Sequence, residues 1–367
     1  MNRAGRARST LAVVVLGVLA LGCGDGSPEE GNAAVGWQVR DTLWIGAIDG
    51  EGPEVFGSVV ALTADSDGRI YVFDGRAHEL RVFGPDGSFI SRFGRRGGGP
   101  GEFQHVIGMS VTPGGSLWLI DGANARYTVL RGDDVATYTR GVGVYTVPWV
   151  GGHSDGYLHD VIMVPGGPSR EALVRVNAEG AVIDTVAVPA DQIETPRVGP
   201  IQLPLPYAPR QIRAFDPGGA LWFAMSHEYK LYKIGLRGDT LRVMGREVEP
   251  RPLSATESDS VSQHIRALRE RFQVEVREGL IPRTAPLLRQ VTVADDGAVW
   301  VTRADPPPGS PSGTRFDVFG RDGHLVGEVN VVFPLALRLV QAGQIYGVAR
   351  DELGVERVFR ARIEHGR

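Results

Sequence analysis

From residue 59 onward the chain alternates short apolar runs with turns that carry a glycine. Val59 to Ala64 is apolar and β-prone. Asp65-Ser66-Asp67-Gly68 ends that run, because Asp side chains bond nearby backbone amides and Gly tolerates positive φ. Ile70 to Phe73 reads as a second strand and Leu80 to Phe83 as a third, after a polar link through Asp74 and His78. Pro85-Asp86-Gly87 then turns the chain into a fourth, Phe89 to Phe93, and Gly94 to Phe103 closes the unit. Four short strands of a meander cannot bury both faces of their sheet, so this unit needs copies of itself on either side.

The copies are present. A turn glycine, one residue, an apolar residue and an aromatic recur as Gly68-Arg69-Ile70-Tyr71, Gly115-Ser116-Leu117-Trp118, Gly219-Ala220-Leu221-Trp222, Gly297-Ala298-Val299-Trp300 and Gly343-Gln344-Ile345-Tyr346. Gly156-Tyr157-Leu158-His159 is a weaker copy. A second turn follows at Gly87, Gly132, Gly180, Gly238 and Gly323, and the last unit ends before it would have one. The spare strand-like run, Trp37 to Ile45, can supply the strand missing there by pairing with Val355 to Ile363, which closes a ring and removes open sheet edges.

The repeat resembles the six-bladed β-propellers of the NHL-repeat type, whose blades carry a turn Gly, an apolar-aromatic pair, an Asp and a later Arg. Here those are Gly68, Ile70, Tyr71, Asp74 and Arg81, then Gly115, Leu117, Trp118, Asp121, Asn124 and Arg126. Gly97-Gly98-Gly99-Pro100-Gly101-Glu102-Phe103 resembles the connector between consecutive blades of such propellers from the cell envelope. The resemblance implies an all-β chain, a six-bladed β-propeller over residues 37–367 with an N-terminal closing strand and one helical insertion between blades four and five. It implies nothing about activity, because propellers host unrelated functions.

The insertion, 254–282, shows a different period. Ser254 and Glu257 have capping-box spacing, Val261, Ile265, Leu268 and Phe272 form one apolar stripe, and Gly279 with Pro282 gives a stop. The spacing predicts a helix from Ser254 to Glu278. Its stripe packs on blades four and five, or the helix covers the channel mouth as a lid or docking element; the two are compatible.

The first 36 residues do not fit the pattern. Arg3, Arg6 and Arg8 precede an apolar run from Leu11 to Leu21, and Leu19-Ala20-Leu21-Gly22-Cys23 resembles the bacterial lipobox. Residues 1–22 are thus expected to be a lipoprotein signal peptide, with Cys23 the lipidation site and 23–36 a flexible tether. Cys23 is the only cysteine, so no internal disulfide can form. The expected place is the cell envelope, anchored in a membrane and facing the periplasm or the cell surface.

Net charge of -4 gives no electrostatic footprint for nucleic acid. The 50 glycines and 24 prolines fall mostly at turns, as a meander requires. There is no phosphate-cradling loop with its lysine and no His-Glu-x-x-His zinc motif. His153, Asp155, His159 and Asp160 are the densest group of metal-ligand types, but their spacing fits no closed site, so neither a metal nor a cofactor is expected.

The long connections, Gly94 to His105, Val188 to Pro209, Glu247 to Leu288 and Asp305 to Gly313, all fall on the side opposite the tight turns, where binding residues usually gather. Aligning the innermost strands on their turn glycine singles out Arg213, which stands where other units have Leu62, Met109, Val291 and Leu337. It also singles out Arg338, where others have Thr63, Ser110, Ala214 and Thr292. Arg210 and Arg289 enter their strands beside the insertion, and His105 and His227 lie on the same side. These six are the expected ligand-binding residues, gathered at the mouth of the channel. Planar guanidinium groups would grip a carboxylate, phosphate or acidic sugar there, unless acids such as Asp216 or Glu228 pair with them. The reading favoured is a monomeric, non-catalytic propeller for a small anionic ligand or an envelope protein partner. A metal-assisted lyase or hydrolase at the channel mouth, and a structural subunit of an envelope complex, remain the alternatives.

Overall fold

The computed structural model describes residues 36–140, 153–154, 157–164, 170–187, 194–198, 201–216, 219–235 and 237–365. The expected signal peptide, Cys23 and all but the last residue of the expected tether lie outside them, as does Asp155.

The strands form successive four-stranded antiparallel units, here called blades, each written from its innermost strand outward. Blade one is Val59–Ala64, Ile70–Asp74, Glu79–Phe83 and Phe89–Phe93. Blade two is Val106–Val111, Leu117–Asp121, Arg126–Arg131 and Asp134–Thr139. Blade three is His153–Ser154, Tyr157–Val164, Arg170–Val176 and Val182–Ala187. A two-stranded hairpin, Arg197–Val198 with Ile201–Gln202, precedes blade four, which is Gln211–Phe215, Leu221–Met225, Lys230–Ile234 and Thr240–Gly245. Blade five is Leu288–Val293, Val299–Arg303, Thr314–Phe319 and Leu325–Val331. In blade six, Leu335–Gln341, Gln344–Arg350 and Glu356–Glu364 are joined by the N-terminal strand Gly36–Ile45. The result is an all-β, propeller-like fold with one α-helix among the described residues.

The N-terminal strand runs antiparallel to Glu356–Glu364, from Gln38 opposite Glu364 to Ile45 opposite Val358. Its first residues also pair in parallel with blade five, Trp37 opposite Val329, so blades five and six share one eight-stranded sheet. A bulge between Arg40 and Leu43, with Asp41 at φ 46, inserts one extra residue and so reverses which way later side chains point. Trp37 and Val39 therefore pack into the core between blades five and six, while Leu43 and Ile45 pack into the core between blades six and one. Gly327 makes room for this: a Cβ there would lie 2.3 Å from the Trp37 ring.

The recurring Asp and Arg tie blades to their connectors. Asp74, 1% exposed, accepts the amides of Gly57 and Ser58 ahead of its own blade and pairs with Arg81 at 3.3 Å. Arg81 in turn donates to the carbonyls of Pro53 and Val55. Asp121 accepts from Gln104 and His105 in the same way, and Arg126 donates to Gly98 and Gly99 of the connector. In blade five the charges are exchanged. Arg303 stands in the place of Asp74 relative to its turn glycine, Asp317 faces Val301 as Arg81 faces Val72, and the two again meet at 3.3 Å.

The helix α1, Ala255–Phe272, begins with the predicted capping box, both halves formed. It ends earlier than its Gly-Pro stop implied, at Gln273 in the left-handed conformation. The reason is packing: Val274 and Val276 leave the helix and join Ile265, Leu268 and Phe272 against Val198, Leu203, Leu205 and Ala208. The stripe is thus buried on the segment preceding blade four, instead of on blades four and five. At the start of α1, two hydrogen bonds from Arg251, 2.7 and 2.8 Å, hold the Glu257 carboxyl down to about 2, with the Ser254 amide assisting. A carboxyl depressed on folding contributes stability above its unfolded value of 4.5, and the contribution is lost as pH falls from there toward about 2. Amide-exchange protection of residues 258–262 should fall across that window and stay flat in a Glu257→Gln variant.

Candidate functional site

The innermost strands of blades one, two, four, five and six line a channel of about 670 Å3. Side chains of a strand normally point to the two faces of its sheet, here toward neighbouring blades. A bulge overrides this. Val60, Ile107, Arg289 and Arg338 each fall at a register shift, where one strand carries an extra unpaired residue. Three of those bulges sit near the start of the strand, but that of Arg338 lies deeper, between Leu337 and Leu339, and puts the guanidinium on the channel wall.

Arg338 is exposed, and it lines the channel. Partial desolvation by the protein around it lowers its pKa from the usual arginine value. Among the described residues it makes no ion pair or hydrogen bond. The carboxylate that acts on it at longer range, Glu356, is already bonded to the Val59 amide and to Arg350. The acids on the channel wall are equally committed: Asp65 to the amides of Asp67 and Arg69 and the Tyr71 hydroxyl, Asp295 to the amides of Asp296 and Ala342.

Of the six residues singled out in the sequence, the structure brings Arg213 and Arg338 onto one channel wall. Arg213 donates from Nε to Gln211. Arg210 and Arg289 do not line the channel. Both are exposed at the start of their strands, where the Arg210 guanidinium donates to the Arg289 carbonyl at 2.9 Å. His105 is exposed ahead of blade two, and its backbone amide and carbonyl bond to Asp121 and Gly122. His227 is a brace, its ring held between Ser226 Oγ and the Thr284 carbonyl, 3.1 Å on each side. The four arginines therefore do not converge. Asp216, one of the acids expected to pair with them, is bonded to Lys233 at 2.7 Å and to Trp222.

His227 belongs to a second hollow of about 770 Å3, bounded by Tyr229, Lys230, Met244, Arg246 and Leu287. Behind it lies a closed ring of charge that sequence reading missed. Arg246 meets Asp317 and Glu328, Arg303 meets Asp317 and Asp305, and Arg315 meets Asp305 and Glu328. Tyr229 donates to Asp317, and burial, with the Asp317 charge beside it, pushes its phenol far above 10. The available signal was positional, an Arg and an Asp exchanged within the repeat at 303 and 317. No group of three or more potential metal ligands occurs among the described residues.

Comparison with known proteins agrees on the fold. A family model described as a 6-bladed beta-propeller, DUF5128, matches residues 57–125, which are blade one and the first half of blade two. The chain is similar to a solved member of the DUF4221 family from Bacteroides vulgatus, at TM-score 0.54 and 10% identity, over 90% of this chain and 98% of that one. It is similar to a protein described as exported from Bacteroides fragilis, at TM-score 0.51 and 12% identity, over 88% and 95%. A virginiamycin B lyase from Staphylococcus aureus, catalytically inactive and with quinupristin, aligns at TM-score 0.47 and 13% identity, over 90% and 94%. At such identities the likeness is one of fold alone. No curated protein matches this chain.

Proposed function

We propose that this chain is a non-catalytic, extracytoplasmic binding propeller of the NHL-repeat type, held at a membrane through a lipidated Cys23, whose channel takes a small anion. The observation that supports it is Arg338, a cation on the channel wall that is paired with no carboxylate among the described residues. An anion in the channel would supply the partner that the protein does not. Arg213 on the same wall adds positive charge, and Arg210 with Arg289 stands at the strand starts where the long connections open. In the second hollow Arg246 already meets two acids, and Lys230 lies over the Tyr232 ring.

Calorimetric titration with small carboxylates and with phosphate tests the reading. Arg338→Met should weaken whichever anion binds by about tenfold or more, the worth of a hydrogen bond to a charged group. It should leave the melting temperature unchanged or raised, because the uncompensated cation is gone. Equal affinity in the variant would remove the channel as the site.

The anchor is a separate expectation, resting on the Arg-rich start, the apolar run and Gly22-Cys23. Two or more acyl chains hold a protein at a membrane where one is marginal. Cys23→Ser should release the protein into the soluble fraction, and a variant that stays wholly membrane-bound would show that something else holds it.

A further inference from the structure

The channel carries two kinds of polar group at one level. Five residues before the turn glycine, blade six presents Arg338, whereas blades one, two and five present Thr63, Ser110 and Thr292. All four line the channel. The hydroxyls of Thr63 and Ser110 make no side-chain hydrogen bond among the described residues. Thr292 Oγ1 accepts from Gln290 Nε2 at 3.1 Å, which leaves its own proton to give. Arg338 thus shares with three hydroxyl groups, and with Arg213 of blade four, a space of about 670 Å3, within the usual range for small-molecule pockets.

A bare inorganic anion can accept from a guanidinium and from a hydroxyl beside it, but it fills little of a space of about 670 Å3. A simple dicarboxylate can accept from both arginines and from the hydroxyls, but it leaves the acceptor lone pairs of the hydroxyls unmatched. A molecule with one carboxylate and several hydroxyls matches both kinds at once, the carboxylate taking two parallel bonds from the planar fork of Arg338 and its hydroxyls exchanging bonds with Thr63, Ser110 and Thr292. We infer that the channel takes a hydroxylated carboxylic acid of the sugar-acid class, with its carboxylate on Arg338 and its hydroxyls on Thr63, Ser110 and Thr292. This rests on the anion reading above. It also predicts strong discrimination, because a site whose buried polar groups are matched by substrate hydroxyls rejects an analogue that lacks them.

The test titrates the full chain with glucuronate, with glucose, which keeps the hydroxyls without the charge, and with succinate, which keeps the charge without the hydroxyls. Glucuronate should bind at least about tenfold more tightly than either. A Thr63→Val, Ser110→Ala double variant, near-isosteric and checked by its melting temperature, should bring glucuronate toward succinate and leave succinate unchanged. Arg338→Met should bring glucuronate toward glucose. Succinate binding as tightly as glucuronate, or a double variant that binds glucuronate like the parent, overturns the sugar-acid assignment while the anion reading stands. Failure of both acids to bind overturns the two together.

Discussion

Removing residues up to Ile45 should leave a protein that aggregates or melts at least about 10 °C lower, an effect felt across the whole domain. The strand lost, Gly36–Ile45, completes blade six and also pairs with blade five. It supplies Trp37 and Val39 to one interblade core and Leu43 and Ile45 to the next. Trp37 stacks on His365 at 4.1 Å, and Trp44 sits 5.0 Å from Phe333 and 4.7 Å from Phe359. At roughly 1.5–3 kcal/mol for each well-buried apolar side chain, the loss is on the order of 5 kcal/mol or more even after discounting the half-buried members. That is a large part of the roughly 5–15 kcal/mol that holds a typical domain together. Deleting Asp41 alone, the extra residue of the bulge, should cost far less, because the pairs on either side and the faces taken by Trp37, Val39, Leu43 and Ile45 are all kept. A truncated protein that melts like the parent would show that the ring closes without this strand.

The second large effect is expected at Asp317, which is fully buried on blade five. Its Oδ2 accepts from Tyr229, from Arg246 at 3.1 Å and from Arg303 at 3.3 Å, while its Oδ1 has no hydrogen-bond partner. Asp317→Ala would leave two guanidinium groups facing a void and a buried phenol with nothing to bond, and removal of one member of a buried pair costs roughly 3–5 kcal/mol. Asp317→Asn keeps the shape and an acceptor and should cost less. Replacing Asp317 and Arg303 together by Leu and Met should recover part of the loss, because Arg246 still has Glu328 and Arg315 still has Asp305 and Glu328. Denaturant midpoints at unchanged m-value give the comparison. An alanine variant within about 1 kcal/mol of the parent would mean that water or neighbouring carboxylates replace Asp317 at little cost.

Local chemistry explains what sequence reading recovered. Turn glycines at 68, 115, 219, 297 and 343 all adopt positive φ, a demand made by four consecutive residues and met without reference to the rest of the fold. The capping box at Ser254 and Glu257 is equally short-range. The end of α1 is not. Gly279 and Pro282 are genuine breakers, yet the helix stops at Gln273, and Val274 and Val276 beyond it pack against the cluster of Leu203, Leu205 and Leu268.

The amino-acid sequence by itself determined the repeat, the class of fold and which positions on the innermost strands depart from their siblings, since each rests on spacing within one unit. Tertiary structure alone decided what those departures do. Arg213 and Arg338 were both visible as exceptions, but only a bulge between Leu337 and Leu339, set by pairing with the next strand, turns Arg338 into the channel. Arg210 and Arg289 looked equivalent to them in one dimension and stand outside it in three. Asp317 and Arg303 are fourteen positions apart and gain their meaning from cross-strand register, which also brings in Arg246 from blade four. Spacing along a chain fixes which face a side chain takes within its own strand; whether that face meets water, a neighbouring blade or an opposite charge depends on residues that the chain brings back from far away.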